Sequence, residues 1–276
     1  MNNVLTLAGK EIREGLRNRW VLAATLLLAL LALTLTFLGS APTGSVGVQP
    51  MDVVIVSLSS LTIFLVPLIA LLLSHDAIVG EVERGTMLLL LSYPVARWQV
   101  VLGKFAGHLA ILGFSTVVGY GAAMLAFALT GQEVSAASWT AFAAMIGSSV
   151  MLGAAFVALG YLVSALARDR GTAAGVAIGL WLLLVLVYDM ALLGVLVLDK
   201  GKHVTGAVLD VLLLLNPTDI YRLFNLTGFA TVSLLSGMSG LAGKVALGPP
   251  LLLGALVAWT VLPLTGAALA FSRREL

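Results

Sequence analysis

The stretch VVIVSLSSLTIFLVPLIALLLS, Val53 to Ser74, runs for 22 residues without a charged side chain. A helix needs about 20 such residues to cross roughly 30 Å of hydrocarbon, and only a helix satisfies its own backbone hydrogen bonds there. Five further stretches pass the same test: Trp20 to Gly39, Phe105 to Thr130, Trp139 to Ala167, Gly171 to Leu198 and Pro249 to Phe271. The composition agrees, with 60% hydrophobic residues, 10% charged residues and a mean hydropathy of +1.09. A soluble domain carries roughly 25% charged residues, so too few polar side chains exist here to clothe one. The expected fold is all-α, a polytopic membrane protein with six transmembrane helices. Residues 1–19 form an amphipathic helix ahead of a single membrane domain, residues 20–276, and the lipid bilayer is the expected solvent. No nucleic acid partner is expected. The chain has no cysteine, which removes disulfides, thiolate metal sites and cysteine nucleophiles together.

Lys and Arg fix the predicted orientation. Lys10, Arg13, Arg17 and Arg19 precede the first span; Arg84, Arg97 and Lys104 separate the second and third; Arg168 and Arg170 separate the fourth and fifth; Arg273 and Arg274 follow the sixth. The short loops Ser40 to Asp52 and Gly131 to Ser138 carry none, and Lys200, Lys202, Arg222 and Lys244 share one long loop, where the positive-inside rule counts least. Both termini are therefore predicted to be cytoplasmic in a bacterial inner membrane. A signal peptide cleaved near Gly39-Ser40-Ala41 is the alternative reading of the first span, but its apolar run exceeds the usual 7 to 15 residues. Upstream, Leu5, Ala8, Ile12 and Leu16 recur at helical spacing with Lys10, Arg13, Glu14 and Arg17 on other faces. That pattern predicts a helix lying flat on the membrane surface.

The charged segment His75 to Lys104 interrupts this apolar architecture. Pro94 disfavours helical backbone at Tyr93, so a short helix from about Asp76 should end there and the third span begin beyond Val95. Glu81, Glu83 and Arg84 stand beside Gly85 and Thr86, ahead of the apolar run Met87 to Leu91. Such an element needs a partner surface, or else rests on lipid headgroups alone.

GEVERGTMLLLLSYPVARWQVVLGKFAG, Gly80 to Gly107, resembles the signature between the second and third spans of ABC-2-type permeases, with an ERGT-like stretch, a P-V-x-R turn and a G-K pair. The resemblance implies that residues 75–104 are a coupling region docking on a separate ATP-binding subunit, with Glu81, Glu83, Arg84, Gly85, Thr86, Pro94 and Arg97 at the contact. It also covers the six spans, the N-terminal helix and the long outer connection. Together with LLNPTDIYRLFNL, Leu214 to Leu226, it is closer still to the Nos-system branch. That branch implies two copies of a cytoplasmic ABC ATPase carrying ATP and Mg, a second copy of this chain, and a periplasmic accessory protein. It further implies copper or a sulfur species supplied for nitrous oxide reductase maturation. No G-x-x-x-x-G-K-[ST] occurs, so the chain has no phosphate loop of that kind and no cofactor of its own is expected.

Enzyme readings are weak. Gly237-Met238-Ser239-Gly240 spells a serine protease fragment, but the histidines, His75, His108 and His203, offer no base from a later span. Asp189 lies about 28 Å along the fifth span from Arg170, near the outer interface, and reads as a solvated carboxylate. Met51, Met124, Met145, Met151 and Met190 suit Cu(I) chemically, yet scattered methionines are usually filler. No catalytic residue and no metal site is therefore expected.

Two regions should organise the assembly. Gly171, Gly175 and Gly179 form GxxxGxxxG, for tight packing within one subunit or for a homodimer; Gly147, Gly153 and Gly160 lie in the fourth span. The outer loop, residues 199–248, should hold helices at Val204 to Leu215 and Thr218 to Leu226, split by Asn216-Pro217, with Val208, Leu212, Leu215, Tyr221 and Phe224 available to dip into the membrane interface. By resemblance Asn216, Pro217, Tyr221, Arg222 and Phe224 would meet the periplasmic partner; by pattern alone the loop could be a lid over its own spans. An exporter of another substrate, an energised conformational pump that moves no cargo, and a scaffold anchoring a periplasmic protein remain the competing functions.

Overall fold

The computed structural model describes residues 2–17, 19–38, 50–129, 135–199, 204–227 and 247–275, and every regular element among them is helical. The fragment at 237–240, His203, and the candidate cleavage site at 39–41 lie outside the described residues. The helices are α1 (Asn2–Leu16), α2 (Arg19–Leu38), α3 (Pro50–Ser74), α4 (Val79–Glu83), α5 (Thr86–Leu91), α6 (Arg97–Ala128), α7 (Ala136–Leu166), α8 (Arg170–Leu182), α9 (Tyr188–Asp199), α10 (Gly206–Leu214), α11 (Pro217–Thr227) and α12 (Pro249–Arg273). Five helices are long and apolar enough to cross a membrane, one of them running from Met51 through α4 to Glu83. α2 joins them as a sixth when taken with α1, from which it turns by 67°.

α7 is the hub. Its Gly153, Ala154, Ala155, Ala158 and Gly160 keep the helix narrow, so α3, α6 and α12 approach closely and bury Phe156, Val157 and Tyr161 between them. A second apolar cluster toward the opposite end joins Leu28, Ile55, Leu58, Tyr120, Phe142 and Met145. Both termini and the α4–α5 segment share one end of the bundle: Asn3 donates to the Pro94 carbonyl at 3.2 Å, and Arg97 donates to the carbonyls of Phe271, Ser272 and Arg274 at 2.9, 3.1 and 2.7 Å.

One start and two breaks stand out against the sequence reading. α6 begins at Arg97, beyond Val95 as the Pro94 break predicts and eight residues ahead of the apolar run from Phe105, because Gln99 accepts from the Ala96 amide at 3.0 Å and the charges of its first turns find partners elsewhere in the chain. The short helix expected from Asp76 to Tyr93 is two helices, broken where Gly85 takes the left-handed backbone (φ 72°) that favours glycine. The fifth span is interrupted by a π-helical turn, Leu183–Val187, which frees the Leu184 carbonyl. Asn216 and Thr218 donate to that carbonyl at 2.9 and 3.2 Å.

Candidate functional site

Five titratable side chains converge at the termini end. Lys104 on α6 donates to Glu11 of α1 at 2.7 Å and lies 2.8 Å from Glu81 of α4. His108, one turn on, lies 3.5 Å from the second Glu11 oxygen and 2.9 Å from the Tyr161 hydroxyl of α7. All five are buried. Burial alone would push the Glu11 carboxyl up, but hydrogen bonding from His108 and the charge of Lys104 outweigh it and hold it down to about 2. A cavity of about 250 Å³, lined by Asp76, Glu81, Arg84, Lys104 and His108 among others, opens onto the cluster.

The cluster is reachable because two glycines let α1 touch α6 backbone to backbone. A Cβ on Gly103 would strike Leu7, and one on Gly107 would overlap Glu11. The packed face of α1 is thus Leu7, Ala8 and Glu11, rather than the expected stripe of Leu5, Ala8, Ile12 and Leu16. Leu5 and Leu16 are exposed, available to lipid. Sequence reasoning passed over Gly103-x-x-x-Gly107; that spacing, with a lysine and a histidine four apart in an apolar helix, was the signal available.

α4 is tied to three spans. Ser164 of α7 accepts from the amides of Ile78 and Val79 at 2.9 and 3.1 Å, capping the start of α4 from another helix. Glu83 accepts from Arg170 at the head of α8, through the backbone amide and Nε, both at 2.8 Å. Lys104 of α6 holds Glu81. Of the residues singled out for partner contact, Glu81 is therefore turned inward, Glu83 is engaged with Arg170, and Arg97 caps α12 and stacks over Phe271 at 5.6 Å. Thr86 donates to the Glu81 carbonyl at 3.2 Å. Arg84, Gly85 and Pro94 are exposed. Beside them stand the large apolar side chains Leu88, Leu89, Tyr93 and Trp98, exposed by 58, 69, 68 and 52%, over a fully buried Met87.

At the other end α11 is not an interfacial helix. It inserts between α3, α7 and α12, and Asn216, Tyr221 and Asn225 are completely buried. The Tyr221 hydroxyl lies 3.0 Å from Ser149, Asn225 donates to Ser148 at 2.9 Å, and Thr62 meets Tyr120 at 2.6 Å. Pro217 is buried as well, whereas Arg222 and Phe224 are half-buried. Asp189 is not a lone solvated carboxylate: it pairs with Arg222, which also donates to Asp219 at 2.6 Å. One guanidinium thus serves two carboxylates. Burial and the nearby Asp189 push the Asp219 carboxyl up to about 7, beyond what Arg222 pulls back.

The remaining sequence candidates are dispersed. A Cβ on Gly175 or Gly179 would meet nothing within 4 Å, and one on Gly171 only Asp169, so among the described residues this face packs against no other helix. Met51, Met124 and Met145 help fill the second apolar cluster, Met151 is half-buried and Met190 is exposed. Among the described residues no group of three or more His, Asp or Glu side chains could hold a metal ion.

The chain is an all-helical bundle of membrane-length helices with an exposed two-helix element, tied to its spans by a buried ionic cluster. Residues 5–276 match the family described as ABC-2 family transporter protein, and the chain belongs to that family. It is 48% identical over 271 residues to a protein of Pseudomonas aeruginosa, covering 98% of this chain and 96% of the relative. It is 46% identical over 276 residues to one of Stutzerimonas stutzeri, covering 99% of each. Both relatives carry the name probable ABC transporter permease protein NosY. Membership implies a multi-pass membrane protein that associates with an ATPase subunit.

Proposed function

We propose that this chain converts ATP hydrolysis on two copies of a separate cytoplasmic ATPase into movement of its spans, as one of two permease copies in a bacterial inner membrane. The termini end is then the cytoplasmic face. ATP and Mg reside on the partner. The observation that carries the reading is the three-way tether of α4: a push on the exposed Leu88, Leu89 and Tyr93 reaches α6 through Lys104, α7 through Ser164 and α8 through Arg170. By similarity to the NosY proteins the movement supplies copper or a sulfur species for nitrous oxide reductase maturation, in company with a periplasmic accessory protein. The open Gly171, Gly175 and Gly179 face is the proposed seat of the second copy. With Asn216 and Tyr221 inside, contact with the periplasmic protein falls to Arg222, Phe224 and the exposed Val208, Val211 and Leu215.

The test is reconstitution with the partner ATPase in lipid vesicles. Leu88→Asp with Leu89→Asp is expected to abolish stimulated ATP hydrolysis while leaving the chain's thermal unfolding unchanged. Unchanged stimulation would overturn the coupling role. ATP-dependent accumulation of copper or of a labelled sulfur compound, lost with a phosphate-loop mutant of the ATPase, separates transport from scaffolding; accumulation of neither would overturn the cargo assignment.

A further inference from the structure

Between the last turns of α7 and α12, at the termini end, lies a cavity of about 570 Å³ whose lining includes Leu166, Arg168, Leu269, Ala270, Arg273 and Arg274. Arginines at helix C-termini ordinarily answer the unpaired carbonyls there. Here that task is already done by others. Arg274 donates to the Ser164 and Ala165 carbonyls that end α7, at 3.3 and 3.2 Å, and Arg97 donates to those that end α12. Arg168 and Arg273 are exposed, and neither makes an ion pair or side-chain hydrogen bond among the described residues. Of the neighbouring acids in sequence, Asp169 is committed to the Thr172 amide and hydroxyl at 2.8 and 2.7 Å. Glu275 is exposed. The groove therefore keeps two arginines that no carboxylate among the described residues pairs with directly.

The face of α12 that leads into it has a second property. Leu262, Thr265, Leu269 and Arg273 follow at spacings of three and four, one exposed stripe of α12 that runs from within the span to the guanidinium. Leu166 stands opposite on α7, and Leu162 closes against Gly266, which leaves the groove floored but open sideways. The eleven steps from Leu262 to Arg273 extend about 16 Å along the helix. A soluble anion has no use for that apolar length, and an acidic protein surface would not run up a membrane span.

We propose that this groove binds an anionic glycerophospholipid, its phosphate between Arg168 and Arg273 and an acyl chain along Leu269 and Leu262. Basic pockets between spans at the cytoplasmic side favour anionic headgroups by charge, and the apolar stripe supplies the chain contact that distinguishes a seated lipid from diffuse attraction.

The experiment is native mass spectrometry of the full chain released from nanodiscs of phosphatidylcholine mixed with phosphatidylglycerol. The unmodified chain is expected to retain phosphatidylglycerol preferentially. R168Q with R273Q is expected to lower that preference about tenfold or more, at an unchanged unfolding temperature because neither side chain is packed. R168K with R273K should restore most of it. R13Q with R17Q removes equal charge from exposed positions outside the groove and should leave it intact. Equal retention in the R168Q/R273Q protein overturns the proposal, and so does an equal loss in the R13Q/R17Q protein, which would mean diffuse attraction. Full displacement by soluble glycerol phosphate would assign the arginines to a free anion instead. Loss of ATPase binding without loss of lipid would assign them to that protein.

Discussion

Lys104 and Glu81 lie 2.8 Å apart and 23 positions apart in sequence, joining the third span to the short helix α4 that precedes it. The same ammonium also holds Glu11, so one buried cation balances two buried carboxylates contributed by two other helices. Removing it leaves those carboxylates with the half-exposed Lys10, 3.9 Å from each, as their remaining lysine in a medium of low polarity. Lys104→Met is expected to cost about 3–5 kcal/mol, read as a lower unfolding temperature in detergent. Adding Glu11→Gln and Glu81→Gln should recover most of the loss. A single variant as stable as the original would show the cluster to be incidental.

The cluster also sets an acid limit. Glu11 is held down to about 2 from an ordinary value of 4.5, so its stabilising contribution is complete above about 4.5. It is lost as the pH falls through that range toward 2. Glu11→Gln should lower stability at neutral pH and flatten the acid limb of the unfolding temperature plotted against pH.

Asp219 has the opposite sign. Raised to about 7 from 3.8, it favours the folded state when protonated, and that contribution fades as the pH rises from about 4 through 7. Protection factors across α11, from which the intrinsic rise of amide exchange with pH is divided out, should therefore fall above neutral pH. Asp219→Asn should remove the dependence and slow exchange at pH 8; an unchanged profile would place the titrating group elsewhere.

Glycines separate the two kinds of helix contact. Gly107→Val drives a Cβ into Glu11 and is expected to lift α1 from α6, exposing α1 to protease and lowering the unfolding temperature. Gly179→Leu enters open space and should leave the single chain's stability within about 0.5 kcal/mol. If two copies meet there, only the dimer fraction on sizing in detergent will fall.

The spans were legible in the sequence because a 20-residue apolar run has one solution in lipid. The Asn216-Pro217 break was legible too, since proline dictates it locally. What escaped notice is relational. Lys104 and Arg97 look like charges outside a span until Glu11, Glu81 and the Phe271 carbonyl, distant in sequence, are brought to them. Tyr221 looks interfacial until Ser149 turns out to be waiting inside the bundle, where Asn225 also meets Ser148. The amphipathic period of α1 gave its helical state correctly but not its packed face, because Gly103 and Gly107 admit Leu7 and Glu11 where a lipid-facing stripe was expected. No signal for the π turn was visible: Leu183 to Val187 is as apolar and as unbroken as its flanks.

That π turn gives the fifth span two rotational frames. One residue accommodated without added rise offsets α9 from α8 by about 100°, the angle of a single helical residue. The glycine face of α8 therefore does not continue straight into the face that carries Asp189. Scanning the span with single cysteines, in a chain that has none of its own, should yield an accessibility wave that slips phase between Leu183 and Val187. A fit with one unbroken period would misassign every residue beyond it.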